Sequence, residues 1–379
     1  MISVIGLIIN PIAGMGGRVA LKGTDGVVEE AIRRGARPIA QDLVKLFLEE
    51  LSSYDLDVNF ITGPGPLGED ILREFNFPYE VIRHREIKFR EILGVKIPDT
   101  SAEDTKILAR EMLKRGVSLV VFAGGDGTAR DIVEVIDEKV PVLGIPTGVK
   151  MFSGIFATSP EDAARIVVEF LKGNAKLEER AVMDLDEDAY RRDELKARKF
   201  YDAITPIVER LIQGSKEATP LDEEEEIEAL AEALAEEIIE NDGIYFLGAG
   251  STIKRIKDKL GIEGTLLGVD IVEVKGGEVK LLVKDASEKD LLKFLDRNPR
   301  VVVTIIGGLN FLFGRGNQQF SPEVLRRIGK ENVIVVATRS KIKDGFVRVY
   351  TGDKSVDSKF KGYIKVRVSP WMERLVKVI

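Results

Sequence analysis

Cysteine is missing altogether from this chain of 379 residues, histidine and tryptophan occur once each, and glutamine only four times. Without cysteine there are no disulfides, no thiolate metal ligands and no thiol nucleophile, which fits a cytoplasmic location. With no second histidine, neither a histidine metal site nor a triad is built around His84, which lies between Arg83 and Arg85 and reads as a surface residue. No apolar run approaches the ~18 residues of a membrane span, and Met1 to Leu7 lacks the basic start and cleavage site of a leader, so no membrane partner is expected. Positive charge is not in excess either. Lys+Arg 56 against Asp+Glu 63 gives a net charge of −7 and a pI near 5.3, a field that opposes nucleic acid and anionic lipid. Any anionic ligand must be held by local features. Scarce glutamine and absent cysteine, beside dense Glu, Lys and Arg, match the compositional bias of thermophile proteins.

What is present describes a globular protein. The chain is 44% hydrophobic and 31% charged, which excludes collagen, a disordered polymer and a multi-span membrane protein. At ~100–200 residues per domain the length suggests two domains. The first half alternates short apolar runs with amphipathic stretches, the pattern of a doubly wound α/β domain with a parallel sheet. Strands are predicted at Ile2 to Ile9, Leu56 to Ile61, Val117 to Ala123 and Val140 to Ile145, and helices at Pro38 to Leu51, Ala102 to Arg115 and Thr128 to Asp137. Around Ala181 the texture changes. A helix over Leu221 to Asn241 has an acidic start that complements its dipole, and strands follow at Gly243 to Leu247, Thr265 to Val274, Glu278 to Val283 and Arg300 to Ile306. The expected division is 1–180 for the α/β domain and 181–379 for a β-rich domain whose C-terminal tail can return to the first. Trp371 is expected to close the C-terminal packing.

The sharpest chemical signal is Gly124-Gly125-Asp126-Gly127-Thr128, which follows an apolar strand and precedes a helix. Glycines let backbone approach phosphates, and a helix amino end presents free N–H groups to an anion. A phosphate loop ordinarily carries Lys, whereas this turn centres a carboxylate. Bare polyphosphate would repel it, so it needs a metal ion or a hydroxyl proton beside it, and a kinase supplies both. The alternative is a tight turn in which Asp126 caps the next helix. Thr147, Gly148, Lys150 and Ser153 follow the strand Val140 to Ile145 and should share the same sheet rim, where ligands of open α/β sheets bind; a surface lysine beside a Pro-Thr-Gly turn is the plainer reading. Gly14, Gly16, Gly17 and Arg18, with Lys22 and Asp25, read as an anion nest or a bare turn. Gly314 to Gln319 sets Arg315 between glycines beside Asn317, Gln318 and Gln319, either to recognise a ligand or to form a loop ahead of a helix opened by Ser321 and Pro322.

The GGDGT string in this context resembles the signature shared by NAD kinases and the diacylglycerol and sphingosine kinases. Asn10-Pro11 after the first strand is similar to that family's opening turn, and Gly250-Ser251-Thr252 to the Gly-Ser-Thr segment of the NAD kinase dinucleotide site. The strings Gly14 to Gly26, Gly144 to Gly154 and Gly314 to Pro322 resemble the archaeal and bacterial branch of ATP-NAD kinases. The resemblance implies transfer of a phosphoryl group from ATP, or from polyphosphate, with Mg2+ or another divalent cation, to the 2′-hydroxyl of the adenosine ribose of NAD. It gives Asp126 the role of orienting and deprotonating that hydroxyl, which suits a reaction needing mainly alignment and charge neutralisation. It also implies a homodimer or homotetramer. Two segments depart from the family. The usual Asn-Glu pair is replaced around Asp186 and Glu187, which either meet ribose hydroxyls or a metal or are exposed loop acids; the usual Thr-Pro-Thr is Phe246-Leu247-Gly248-Ala249 here. These departures keep open a related kinase for another small alcohol or a lipid, and a non-catalytic nucleotide-binding protein. The acidic surface and the lack of an amphipathic entry helix weigh against lipid.

Overall fold

A computed structural model describes residues 3–21, 23–24, 26–92, 94–98, 102–149, 151–185, 197–214, 223–342 and 344–379. They fall into two compact units, one containing residues 3–16, 23–185 and 197–214 and the other 17–21 and 223–379.

In the first unit, strands β1 (Ser3–Ile9), β2 (Val58–Thr62), β3 (Tyr79–Val81), β6 (Leu119–Gly124) and β7 (Val142–Pro146) form a sheet in the order β3-β2-β1-β6-β7. Every pairing in it is parallel. Two antiparallel hairpins complete the strand set, β4 (Phe89–Ile92) with β5 (Val95–Pro98) and β8 (Lys176–Leu185) with β9 (Ala197–Ile207). The central strands β1, β6 and β7 are nearly continuous apolar runs because both faces are covered. Ile5, Leu7 and Ile9 pack with Val44, Phe47 and Leu48 of helix Ala40–Ser52 and Ile166 and Val167 of helix Pro160–Leu171. Ile8, Val120 and Phe122 point the other way, against Leu108 and Met112 of helix Ala102–Lys114 and Ile132 and Val133 of helix Asp126–Ile136. The doubly wound expectation is met. The chain winds outward from β1 in one direction through β2 and β3 and in the other through β6 and β7, so the loops after β1 and β6 flank the switch point of the sheet.

In the second unit, β10 (Gly243–Leu247), β11 (Asp270–Lys275), β12 (Glu278–Val283), β13 (Arg300–Thr304), β14 (Phe311–Phe313), β15 (Val333–Val336), β16 (Phe346–Val349), β17 (Gly362–Ser369) and β18 (Met372–Val378) form one sheet in the order β12-β11-β10-β13-β15-β17-β18-β16-β14. Helices Glu224–Glu240 and Ser251–Lys259 lay Leu230, Leu234, Ile253 and Ile256 on Tyr245, Leu247 and Val302. Phe246, Val301 and Val303 serve the opposite core with Val324, Leu325 and Phe360.

Three local expectations are corrected. Helix Asp126–Ile136 starts two residues before Thr128, with Gly125 in the capping position and no side-chain cap. The extended run predicted from Thr265 begins only at Asp270, because the Lys257 ammonium, fully buried 2.7 Å from the buried Asp270 carboxylate, draws in the carbonyls of Thr265 and Gly268 at 2.9 and 3.1 Å. Trp371 is 93% exposed: it sits at the β17–β18 turn, beyond the sheet whose inner face Val366, Val368 and Val376 already fill. His84, read as a surface residue, is partly exposed, its Nδ1 accepting from the Glu86 amide.

The buried Lys257–Asp270 pair sets a stability test. Removing one partner strands the other charge, so Lys257→Met should lower unfolding free energy by roughly 3–5 kcal/mol. Urea unfolding followed by circular dichroism measures it; a variant as stable as the parent would show that the pair is not buried as described.

Candidate active site

The GGDGT segment links the end of β6 to the following helix at the carboxyl edge of the parallel sheet. Gly124 must be glycine: a Cβ there would lie 2.5 Å from Thr128 Cβ. Asn10, just past β1, ties the neighbouring loop to this one. Its backbone N–H donates to the Ala123 carbonyl at 2.9 Å, its side-chain amide donates to Thr128 Oγ1 at 3.0 Å, and its Oδ1 accepts from the Ile12 amide. Thr147, past β7, donates its hydroxyl to the Gly124 carbonyl at 3.0 Å, and the Gly148 amide reaches the same oxygen. Gly14 closes the corner; at φ +77° its Cβ would meet the Thr147 carbonyl oxygen at 2.1 Å. Thus Asn10, Gly14, Gly124, Thr128, Thr147 and Gly148 gather at one sheet rim.

Asp126 is 2% exposed, and its carboxylate turns toward the loop after β7. Oδ2 accepts from the Phe152 amide at 2.6 Å, and Oδ1 from the Ser153 amide at 3.0 Å and the Ser153 hydroxyl at 2.6 Å. Ser153 Oγ in turn accepts from the Met183 amide of β8 at 3.0 Å. The capping alternative is thereby set aside, since the oxygens serve this loop and not the helix amino end. A carboxylate has about four acceptor positions, so these three bonds leave room for one more donor. Burial pushes the carboxyl up to about 7; the Ser153 hydroxyl and the Phe152 and Ser153 amides pull the other way, and Asp184 pushes further up. Asp184 is itself paired with Arg130 at 2.9 Å. The outcome is an acid that changes charge near neutrality, a property common at functional sites. Because its folded-state value lies above the ordinary 3.8, this group stabilises the fold at acid pH, and that contribution is lost as pH rises through about 7.

The second unit brings together another set. Gly250, at φ +113° and within 2.9 Å of Thr304 Cγ2 for any Cβ, donates its amide to the Leu266 carbonyl and leads into helix Ser251–Lys259, which lacks a side-chain cap. Ser251 is exposed and Thr252 is buried. Lys341, which the sequence did not single out, donates to Thr252 Oγ1 at 3.0 Å and Thr304 Oγ1 at 3.4 Å; burial pushes its ammonium down to about 8, with Glu223 opposing. Only its long-range pairing with Thr252 marks it, and no local spacing encodes that. Arg315 is 3% exposed, lying over the Phe311 ring at 4.4 Å and donating to the Gly314 carbonyl. Burial pushes it down to about 10, still a cation at neutral pH. Asn317 spends its amide on its own loop, accepting from the Gly314 amide and donating to the Leu312 carbonyl. Gly17 packs its α-carbon side on Gln318, 3.1 Å from a would-be Cβ. Gly16 is buried in the first unit. Lys22, Asp25, Lys150, Asp186 and Glu187 lie outside the described residues. Among the described residues no group of three or more His, Asp or Glu side chains could hold a metal ion, and no helix is long and apolar enough to cross a membrane.

Comparison with known proteins agrees with this picture. Residues 5–175 match the ATP-NAD kinase N-terminal domain and residues 240–378 the ATP-NAD kinase C-terminal domain. The two matches make the molecule a kinase, built from an α/β unit and a β-rich unit. The chain belongs to the NAD kinase family. A search of curated proteins gave no match. Among solved structures, a Listeria monocytogenes protein described as a UDP-N-acetylglucosamine 2-epimerase is 13% identical over 94% of this chain and 85% of its own, at a TM-score of 0.26. The UDP-GlcNAc 2-epimerase of Methanocaldococcus jannaschii is 13% identical over 94% of this chain and 91% of its own, also at 0.26. Likeness at that level carries no argument about this fold or its chemistry.

The carboxylate cradle makes a direct prediction. In protein labelled with carbon-13 at aspartate carboxyls, one signal, absent in Asp126→Asn, should titrate near pH 7. Ser153→Ala should move that midpoint upward by about one unit, since a donor to the charged form is lost. A midpoint near 4 in the parent protein would contradict the burial described.

Proposed function

We propose that the protein transfers the γ-phosphoryl group of ATP to the 2′-hydroxyl of the adenosine ribose of NAD, giving NADP and ADP. The observation that carries this reading is the Asp126 carboxylate: buried at the sheet rim, fixed by three hydrogen bonds, with one acceptor direction left and an affinity for protons balanced near neutrality. A ribose hydroxyl donating into that last position is oriented and partly deprotonated as its oxygen bonds to phosphorus and the bond from phosphorus to the bridging oxygen of ADP breaks. The proton ends on Asp126, and the leaving oxygen carries the electron pair away. The amino end of helix Ser251–Lys259, with Lys341 beside Thr252, offers N–H groups and a cation to an anionic group of a nucleotide. Asn10, Gly124, Gly125, Gly127, Thr128, Thr147, Gly148 and Ser153 are assigned to shaping the acceptor end, and Gly16, Gly17, Gly250, Ser251, Thr252 and Arg315 to nucleotide binding.

The described residues offer no cage for a divalent cation. Mg2+ commonly binds through substrate phosphates with few protein carboxylates, so it is assigned to the nucleotide, where it would neutralise phosphate charge. Polyphosphate is the second donor to test. A cytoplasmic homodimer or homotetramer is the assembly expected from the family.

Incubation with ATP, Mg2+ and NAD should yield NADP, detected with an NADP-specific dehydrogenase; no NADP above the blank, with either donor, would contradict the reading. Radiolabelled γ-phosphate with NADH, small alcohols and a sphingoid base in parallel would reveal a different acceptor. Asp126→Asn should fold and lose at least ~100-fold in turnover. Because the base works ionised, kcat/KM should climb with pH and level off above about 7; a flat profile from pH 5 to 9 would exclude Asp126 as general base.

A further inference from the structure

Gln213, one of the chain's four glutamines, belongs to none of the motifs above and is 1% exposed. It follows the bridge that pairs Ile212 with Ala157, and its backbone amide donates to the Phe156 carbonyl at 3.0 Å, so its Cα is anchored beside the loop after β7. The side-chain Nε2 donates two hydrogen bonds, to the carbonyls of Met151 and Ser153, each at 3.0 Å. Two carbonyl acceptors also fix which end of the amide is nitrogen. The Met151 carbonyl and the Phe152 N–H belong to one peptide unit. In a trans peptide they point in opposite directions. Holding the carbonyl toward Gln213 therefore aims the N–H at Asp126, which it reaches at 2.6 Å. The Ser153 carbonyl is pinned likewise, while the amide of the next residue, Gly154, donates to the Ala181 carbonyl at 3.0 Å.

We propose that Gln213 is a positioning residue for the acid–base step: it fixes the 151–152 peptide so that the Phe152 amide stays directed at Asp126, and it holds the peptide on the far side of Ser153, so that the loop donors keep that carboxylate available as a base. This rests on the reading of Asp126 as general base. Hydrogen bonds in such a chain polarise one another, so the amide donor strengthens the N–H it orients. Without it, two buried carbonyls lose their donor, the peptide plane is free to rotate, and the ionised carboxylate loses support that burial makes hard to replace.

Among the described residues, several charged groups on the elements packed around Asp126 have partners of their own. Asp184 on β8 raises its proton affinity and is itself neutralised by Arg130 on the helix of Asp126, which also lies 3.8 Å from Asp131. From helix Ala102–Lys114, Lys106 pairs with Glu134 farther along. From β9, Arg198 lies over the Phe200 ring. None of these reaches the 151–153 loop through the contacts that Gln213 makes, so its removal should leave them in place.

The test is Gln213→Met, which keeps length and apolar bulk but has no donor, with Gln213→Asn as a second variant too short to reach both carbonyls. Folding is checked by circular dichroism. The Asp126 carboxyl should titrate higher by about one pH unit in carbon-13 spectra of the full chain, and kcat/KM for NAD at pH 7 should fall about fivefold and recover toward the parent value by pH 9. KM for ATP should stay within about twofold. A folded Gln213→Met or Gln213→Asn whose Asp126 midpoint stays within about 0.3 units of the parent overturns the proposal, as does an activity loss that is equal at every pH. Asp126→Asn separates the two failures: full turnover in that variant would defeat the base reading, whereas an inactive Asp126→Asn with an unmoved midpoint in Gln213→Met defeats only the role of Gln213.

Discussion

One buried carboxylate meeting three protein hydrogen-bond donors is the constraint on which the first unit's sheet rim depends. A charge removed from water is costly unless compensated, and here compensation is deliberate but incomplete. Two backbone amides and a hydroxyl favour the ionised form, while burial and Asp184 favour the neutral one. Burial outweighs the donors and raises the carboxyl from the ordinary 3.8 to about 7, so the group gains or loses a proton near neutrality. A fully exposed aspartate would be ionised but too weak a base, and one buried without donors would stay protonated.

The rest of the unit maintains that balance. The strands β1, β6 and β7 end at the same rim, and the loops leaving them are bonded to each other: Asn10 to Ala123 and Thr128, Thr147 and Gly148 to Gly124, Gly14 against the Thr147 carbonyl. Gly14 and Gly124 are required by contact distances, and Gly14 also by its positive φ, because side chains there would collide with backbone or with Thr128. The parallel sheet thus supplies a rigid edge, and the 151–153 loop folds back over it to meet Asp126. The second unit uses the same means for a different end: a buried Lys257–Asp270 pair curls the segment whose Leu266 carbonyl holds the Gly250 turn.

Much of this was legible in the sequence because it is local. Strand, glycine turn and helix around Asp126, the alternation that makes a doubly wound sheet, and the apolar stripe of Ile227, Leu230, Leu234 and Ile238 are all encoded by short-range pattern. What was not legible is long-range. That the Asp126 oxygens are taken by Phe152 and Ser153 depends on backbone donors, which any residue type provides. The approach of Lys341 to Thr252 spans 89 positions, and that of Gln213 to Met151 spans 62. The start of the strand expected from Thr265 was set too early because a buried lysine outweighed β-propensity before Asp270, and Trp371 was misplaced because an aromatic at a tight turn has no sheet face to join. Arg315, which the sequence left open between ligand recognition and a plain loop, lies over Phe311, a stacking partner that only the folded chain supplies.

The central claim is that Asp126 accepts the proton of the hydroxyl that receives phosphate. Single-turnover transfer from γ-labelled ATP to NAD, measured together with equilibrium binding of both nucleotides, tests it most directly. The account predicts that Asp126→Asn binds ATP and NAD as the parent does while the labelled phosphate fails to appear on NADP in the first turnover. A variant that binds normally and transfers phosphate at the parental single-turnover rate would contradict it.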